Sequence, residues 1–445
     1  MRLAGAPARA IVAALDSPDV ALTPTEFPGV KPRLLVKEGD VVRRGSAVLE
    51  DKARPGLKFV APAAGAVRSV LYGPRRAIER VVIAPAQRDE IESLDRTPAA
   101  AIVSAARERV LEALLRSGYL ALFRQRPFSR VPDPASPPRS IFVNGMATAP
   151  FQADVHVVVR GFEAAFQAGL DALTRLTSGQ VHLCLDADAT GPSSAVTGAL
   201  RVNIHYFRGP HPAGNTSVHI HHIDPIRPGD VVWTIRAVDV IRIGRLLLDG
   251  AVPPDQVVAL GGPGVRLDER RYYRVRSGGR LSTLLQGRLY SGEQRVIAGD
   301  ALGGEAIAPD GYVRLGQSAL TVLSEDRERH FMGWAMPGLN AFSHANLFVS
   351  RLLRPLRRWD HGTNRHGSER AMVVTGLYDR FLPMRILPDF LIRAVLAHDT
   401  DEAVRLGLLE TDPEDFALCA FACPSKMDLC GIIRAGLAEV ESEGL

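Results

Sequence analysis

The sequence predicts a multidomain α/β protein, and three observations lead there. At 445 residues the chain is longer than one hydrophobic core organises, which implies roughly two to four domains of ordinary size. Apolar positions alternate in short runs up to about residue 100, take helical spacing from about residue 101, and alternate again from about residue 256. An apolar fraction of 46% with 23% charged residues is that of a folded chain, so these breaks in period are read as domain boundaries. The division is 1–100, 101–255, 256–330 and 331–445.

Residues 1–34 are rich in Pro, Ala and Gly, and Phe27 to Arg33 (F-P-G-V-K-P-R) leads as extended chain into the next stretch. From Leu35 to Val70 the alternation is broken at Gly39-Asp40, Gly45 and Gly65, where hairpin turns belong, and the module closes near Ile83. The wording V-K-E-G-D…L-E-D-K…A-P…G-x-V resembles the barrel-sandwich hybrid of lipoyl and biotinyl carrier domains. There a hairpin lysine carries the cofactor, and Lys52 stands at the matching place. It is followed by A-R-P-G-L-K-F, a longer loop with Pro55-Gly56 in place of the tight turn a modifying enzyme reads. Lys52 is therefore expected to be a solvated, unmodified lysine.

Ile102, Ala105, Val110, Leu111, Leu114 and Leu115 fall on one helical face, and Ser117-Gly118 ends that helix. A proline-dense loop follows, then a short apolar strand, Ile141 to Val143, closed by Asn144-Gly145. A helix at Gly161 to Leu176 and strands at Val181 to Leu185, Arg201 to Phe207 and Val231 to Ile235 complete a Rossmann-like, doubly wound layer. Histidines crowd the stretch from His205 to His222. Read as a strand, His219-Ile220-His221 puts two imidazoles on one face, the start of a metal site. With no Cys nearby, Asp224 followed by Pro225, and a turn-like G-P-H-P-A-G, no metal is expected there.

Val257 to Leu260, Gly261 to Val265, Tyr272 to Val275, Gly278-Gly279 and Leu281 to Leu285 read as a small β-grasp unit. The charge run E-D-R-E-R-H-F then leads into an aromatic stretch with Phe331, Trp334, Phe342 and Phe348. The arginine-rich run Arg351 to Arg358 suits an acidic partner face. A strand is expected at Val373-Val374, and helices at Phe390 to Ala397, Glu402 to Leu406, Pro413 to Phe421 and Gly431 to Glu443. A four-iron cluster needs four thiolates, commonly spaced C-x2-C-x2-C-x3-C-P. Cys419-x3-Cys423-Pro424 matches the last two places, while Pro413 and Phe416 hold the first two. Cys430 adds a thiol off the pattern, so the motif reads as a relic that binds no metal.

Taken together, the carrier-like module, Ser117-Gly118 with Val143-Asn144-Gly145, the G-P-H-P-A-G…H-I-H block and the incomplete cysteine motif resemble one family, the NqrA subunits of the Na⁺-translocating NADH:quinone reductases. That family is related to RnfC of the Rnf complex and to the flavin-bearing NADH subunit of complex I. The resemblance covers nearly the whole chain. It implies a translocase subunit in electron and sodium transport, placed peripherally on the cytoplasmic face of the cell membrane beside the membrane-embedded quinone/flavin subunit. In the complex I flavoprotein, a glycine-rich loop after the matching Ser-Gly admits the flavin; here Tyr119, Leu120, Phe123, Arg124, Gln125, Arg126 and Phe128 stand in its place. The resemblance thus implies that FAD, FMN, riboflavin, iron–sulfur centres, NADH and ubiquinone sit on other subunits, and that the isolated chain is not catalytic. Phe331, Trp334, Phe342 and Phe348 are the local candidates for a part in the quinone site.

Bulk properties agree. A net charge of +5 permits an acidic partner and demands no nucleic acid. The longest apolar candidate, Val231 to Leu248, is cut by Arg236, Asp239, Arg242 and Arg245, short of the roughly 18 residues a membrane span needs. Pro7, Arg9, Asp16 and Pro18 interrupt any signal-peptide core. Four cysteines, Cys184, Cys419, Cys423 and Cys430, fit reduced thiols. The alternatives are an RnfC-like electron carrier with its own clusters and flavin, and a carrier protein modified at Lys52. No nucleophilic triad is recognisable.

Overall fold

The first strand, Ala8–Leu15, does not stay with the β module that follows it. In the computed structural model, which describes residues 3–327, 331–339, 341–343, 347–353 and 358–444, it runs parallel to Arg271–Arg276, with Ala8 opposite Arg271 and Val12 opposite Tyr273. It thereby forms the edge of a six-stranded sheet in the order Ala8–Leu15, Arg271–Arg276, Asp255–Gly261, Ala319–Ser324, Gln294–Ala298, Glu305–Ile307. Val258, Leu260, Tyr273, Val296, Leu320 and Val322 build its core. Leu281–Leu285, expected as part of the strand pattern, is a short helix that lays Leu281, Leu284 and Leu285 onto this sheet.

Residues 20–85 fold as two antiparallel sheets. One orders Val20–Leu22, Ile78–Pro85, Gly65–Tyr72 and Val41–Val42; the other orders Pro32–Leu34, Ala47–Asp51 and Lys58–Val60. Val48, Leu49, Phe59, Val67, Val81 and Ile83 fill the space between them. Gly39 and Gly45 take φ of +90° and +102°, which only glycine adopts without strain, so the sequence punctuates the module where the backbone requires it.

The third sheet orders Asn203–Phe207, Val181–Asp186, Ser140–Asn144, Val232–Arg236 and Arg124–Arg126; the first four strands are parallel and the last is antiparallel. Arg124–Arg126, expected in a solvated loop, is an edge strand because Val232–Arg236 leaves one side open for pairing, and Arg126 is buried. Along Ser140–Asn144 the side chains alternate. Ile141 and Val143 enter the core beneath helices Glu163–Leu176 and Ala237–Asp249, while Phe142 enters the core shared with the C-terminal helices. His219-Ile220-His221 lies on the helix Thr216–Ile223, not on a strand, because Val218 and Ile220 pack into that second core.

Between residues 331 and 377 the described residues form short 3-10 turns, Gly333–Ala335 and Val349–Leu353, and irregular chain. Val373-Val374 pairs with no strand, and both residues are exposed. Of the charge run, Glu328, Arg329 and His330 lie outside the described residues, as do Arg354 and Arg357 of the arginine-rich run. The C-terminal helices are Pro388–Leu396, Thr400–Arg405, Ala417–Ala422 and Leu429–Ser442. Pro388 supplies the first turn of one, where its missing N–H costs nothing. Asp428 caps another by accepting from the Gly431 N–H at 2.9 Å, which starts that helix two residues before the expected Gly431.

The two helices on the α/β sheet cross at glycines. A Cβ on Gly244 would lie 1.7 Å from the Ala165 carbonyl oxygen, and one on Gly169 2.2 Å from that of Val240. Helix propensity favours Gly244→Ala by up to about 1 kcal/mol; the close approach opposes it by about 1–3 kcal/mol or more. The expected outcome is a net loss of stability in denaturant titration, and a stabilised variant would contradict this crossing.

Candidate functional site

In an open α/β sheet of this kind the ligand crevice lies beyond the carboxyl ends of the strands, where the order reverses. Here that place is between Asn144 and Arg236, at the ends of Ser140–Asn144 and Val232–Arg236. The Asn144 amide donates to the Gly214 carbonyl at 2.8 Å and to Thr216 Oγ1 at 3.0 Å, and its carbonyl accepts from the Met146 N–H at 3.0 Å. Thr148 Oγ1 accepts from the Gly214 N–H at 3.0 Å and lies 3.3 Å from His211 Nδ1. A Cβ on Gly214 would fall 2.4 Å from the Met146 carbonyl, so the two loops touch backbone to backbone. On the other side Arg236 is held by Asp239 at 2.6 Å and donates to Ser318 Oγ at 2.9 Å. The chain's own loops lace this end of the sheet together.

Gly118 ends the helix Arg107–Ser117 in the left-handed conformation, φ +76°, and a Cβ there would sit 2.6 Å from the Lys58 carbonyl. Tyr119 to Leu122 then make one 3-10 turn, and with Phe123 all five side chains are buried. The Arg242 guanidinium lies over the Tyr119 ring, 5.1 Å from its centre, and donates to the Leu315 carbonyl. What space remains, lined by Glu26, Phe59, Ser117, Tyr119, Arg242 and Leu315, is a cavity of about 30 Å³. That is room for one or two waters. The Glu26 carboxylate accepts from the Leu315 N–H at 2.9 Å, and burial pushes its pKa up to about 8.

Arg124 and Arg126 serve the fold. Arg124 donates to the carbonyls of Ala121 and Phe123, both at 2.8 Å. Arg126, 2% exposed, donates to Ser217 Oγ at 2.8 Å and to the carbonyls of Thr411 and Glu410, and Asp412 stands 3.8 Å away. It ties the edge strand to the helix Thr216–Ile223 and to the C-terminal helices. Nothing in the local sequence signals this role, since its partners lie 91 and 285 residues away.

The histidines divide. His182 Nδ1 and His205 Nε2 are 3.0 Å apart, with Phe142 stacked on His182 at 4.7 Å. His219 is buried against Phe207 at 4.4 Å, whereas His221, on another side of the helix, meets Glu410 at 2.7 Å and accepts from the Arg385 N–H at 3.0 Å. Among the described residues no three His, Cys, Asp or Glu side chains gather as metal ligands do. Cys419 and Cys423 are buried, Tyr378 Oη lies 3.0 Å from Cys423 Sγ, and Cys430 is half-buried. Burial pushes the Cys419 thiol up to about 12 and the Cys430 thiol up to about 11, so both stay protonated near neutrality.

Lys52 is exposed at the head of its hairpin, but the hairpin is pinned. Arg54 pairs with Asp51 at 2.6 Å and donates to the carbonyls of Val131 and Pro132 in the α/β unit. The described aromatic candidates have these surroundings. Phe331 is 91% exposed, Phe342 meets Trp359 at 5.5 Å and Phe421 at 6.1 Å, and Phe348 lies against Gly338. Trp334 sits in the turn Gly333–Ala335, and its side chain is outside the described residues.

Three family models match the sequence: the NqrA N-terminal barrel-sandwich hybrid domain over residues 1–86, the NqrA second alpha/beta domain over 105–252, and the NQRA C-terminal domain over 257–308. The chain is 42% identical, over 99% of its own length and 98% of the relative's, to the A subunit of the Na(+)-translocating NADH-quinone reductase of Actinobacillus pleuropneumoniae serotype 5b. The corresponding subunits of Serratia proteamaculans and Klebsiella pneumoniae are each 40% identical over the same shares. The chain belongs to the NqrA family. The first NqrA model includes Ala8–Leu15, the strand that pairs outside the β module, and the C-terminal helices lie beyond the third. No helix among the described residues is long and apolar enough to cross a membrane.

Burial lowers the imidazole pKa of both His182 and His219 to about 4, and neighbouring His205 adds to the effect on each. The unfolded chain therefore binds the extra protons, and stability falls as pH drops from about 6.5 towards 4, by up to about 3 kcal/mol for each group. Denaturant titrations at pH 7.5, 5.5 and 4.5 should show this loss, and His219→Leu should flatten it; a profile with the slope of the native chain would rule out His219 as a contributor.

Proposed function

We propose that this chain is the peripheral, cytoplasmic NqrA subunit of a Na⁺-translocating NADH:quinone reductase, a scaffold that holds the complex together and binds no flavin or NADH itself. The complex passes electrons from NADH to ubiquinone and exports Na⁺, with FAD, FMN, riboflavin and iron–sulfur centres on the other subunits. The observation that carries the reading is the filled junction after Ser117. Five buried side chains, Tyr119 to Phe123, take the place a phosphate-cradling backbone needs, and a cavity of about 30 Å³ admits water but no isoalloxazine ring. The laced loops at Asn144 and Thr148 support it at the carboxyl end of the sheet. The pinned hairpin at Arg54 supports an unmodified Lys52, since a swinging arm needs a free tip.

The contact with the membrane-embedded partner runs through the irregular stretch after residue 330. Phe331, Met336, Leu339 and Leu347 are exposed there at 91%, 58%, 60% and 79%, a density of apolar side chains that water alone does not favour. Through this stretch the chain contributes to the quinone site. Sodium passes through the spanning subunits, because the helices among the described residues, none long and apolar enough to span, offer no path through hydrocarbon.

The full-length chain, purified alone, is expected to carry substoichiometric flavin and iron, to leave NADH unoxidised, and to show its unmodified mass at Lys52. Stoichiometric flavin, or iron with acid-labile sulfide, would make it an electron carrier of the RnfC kind instead.

A further inference from the structure

The helix Pro388–Leu396 is apolar on both sides. Its inner face, Leu391, Ile392, Ala394 and Val395, is buried in the C-terminal core, where Val395 lies against Gly436 of the helix Leu429–Ser442. Its outer face carries Phe390 and Leu396, 52% and 47% exposed, and Leu387 just before it is 55% exposed. Val373 and Val374, also exposed, lead into Gly376, whose N–H donates to Asp389 Oδ2 in the first turn of the same helix at 3.0 Å. Apolar side chains gathered on the exposed side of a helix whose other side is buried mark a face suited to a partner.

The polar groups around this face are distributed unevenly. Arg380, Arg385 and Arg393 are exposed, and among the described residues their side chains make no ion pair or hydrogen bond. Asp389 is buried and bonded to the Gly376 N–H, and exposed Asp379 adjoins Arg380, whereas Arg385 and Arg393 have no paired carboxylate among the described residues. The exposed acid groups Asp399 and Asp401 lie past the other end, beyond Leu396. Exposed apolar and aromatic side chains interleaved with arginines are the composition of a protein interface. Leu387, Phe390, Arg393 and Leu396 recur every third residue and form one ridge along the helix, the shape a second helix packs against.

We propose that this outer face docks an amphipathic helix from another component of the complex, with apolar side chains on Leu387, Phe390 and Leu396 and carboxylates opposite Arg385 and Arg393. The inference rests on the reading of this chain as part of that complex. Two copies of the chain fit each other less well here. Val373, Val374 and Arg385 adjoin the Leu387 end and leave the face lopsided, whereas a two-fold contact centres its apolar patch on the axis.

The test uses the full-length chain and, as probe, the remaining complex purified from cells lacking this chain. The wild-type chain should rebind. Leu387→Ser with Phe390→Ser should weaken rebinding by roughly a hundredfold, as loss of a buried anchor does. Arg385→Glu with Arg393→Glu should weaken it roughly tenfold at low salt, with the deficit shrinking as salt screens the charges. Because the four side chains are exposed, the melting temperature should be unchanged in both variants, which separates docking from folding. Variants that rebind like wild type overturn the docking site and leave the reading under Proposed function standing; a wild-type chain that fails to rebind overturns both. A wild-type dimer in sedimentation that both variants lose, with rebinding intact, would assign the face to a second copy and overturn the proposal as well.

Discussion

The architecture depends on one backbone approach. Gly118 lies so close to the Lys58 carbonyl that no side chain fits between them, and from that point Tyr119 to Phe123 turn inward together. Tyr119 carries the Arg242 guanidinium on its ring, and Arg242 reaches the Leu315 carbonyl. One short turn therefore touches the β module, the helix of the α/β sheet and the six-stranded sheet at once. A buried guanidinium is tolerated there because carbonyl oxygen and ring face replace part of its water shell.

The same logic accounts for the quiet chemistry of the rest. Positions that could bind a ligand or a metal are spent on internal bonds: Asn144 and Thr148 join two loops, Arg126 joins a strand to helices, and Arg54 fixes a hairpin. His182, His219, Cys419 and Cys430 are held in their neutral forms by burial. The cysteines Cys184, Cys419 and Cys423 and the histidines His182 and His219 are inside the chain.

What the sequence disclosed followed from local physics. Glycines at positive φ marked the turns of the β module, and helical spacing marked Glu163–Leu176 and the C-terminal helices within a few residues, whereas the single helical face read from Ile102 to Leu115 is two helices, Ala99–Val103 and Arg107–Ser117. Local pattern failed where distant packing decided. V-H-I-H-H-I alternates like a strand, yet the Thr216–Ile223 segment is a helix because Val218 and Ile220 find a core on one side. Arg124–Arg126 carries the composition of a loop and becomes a strand because a sheet edge was open. The clamp at Arg126 had no local signature at all. Phe342 meets Trp359 and Phe421, contacts that no local pattern announces.

The strand Ala8–Leu15 leaves the ribosome well before its pairing partner, which begins 263 positions later, at Arg271. At elongation rates of roughly 5–20 residues per second it waits on the order of 13 to 50 seconds with its hydrogen-bonding edge open. The six-stranded sheet stays unfinished until Ala319–Ser324 has emerged too, and for that interval the waiting edge is open to a chaperone.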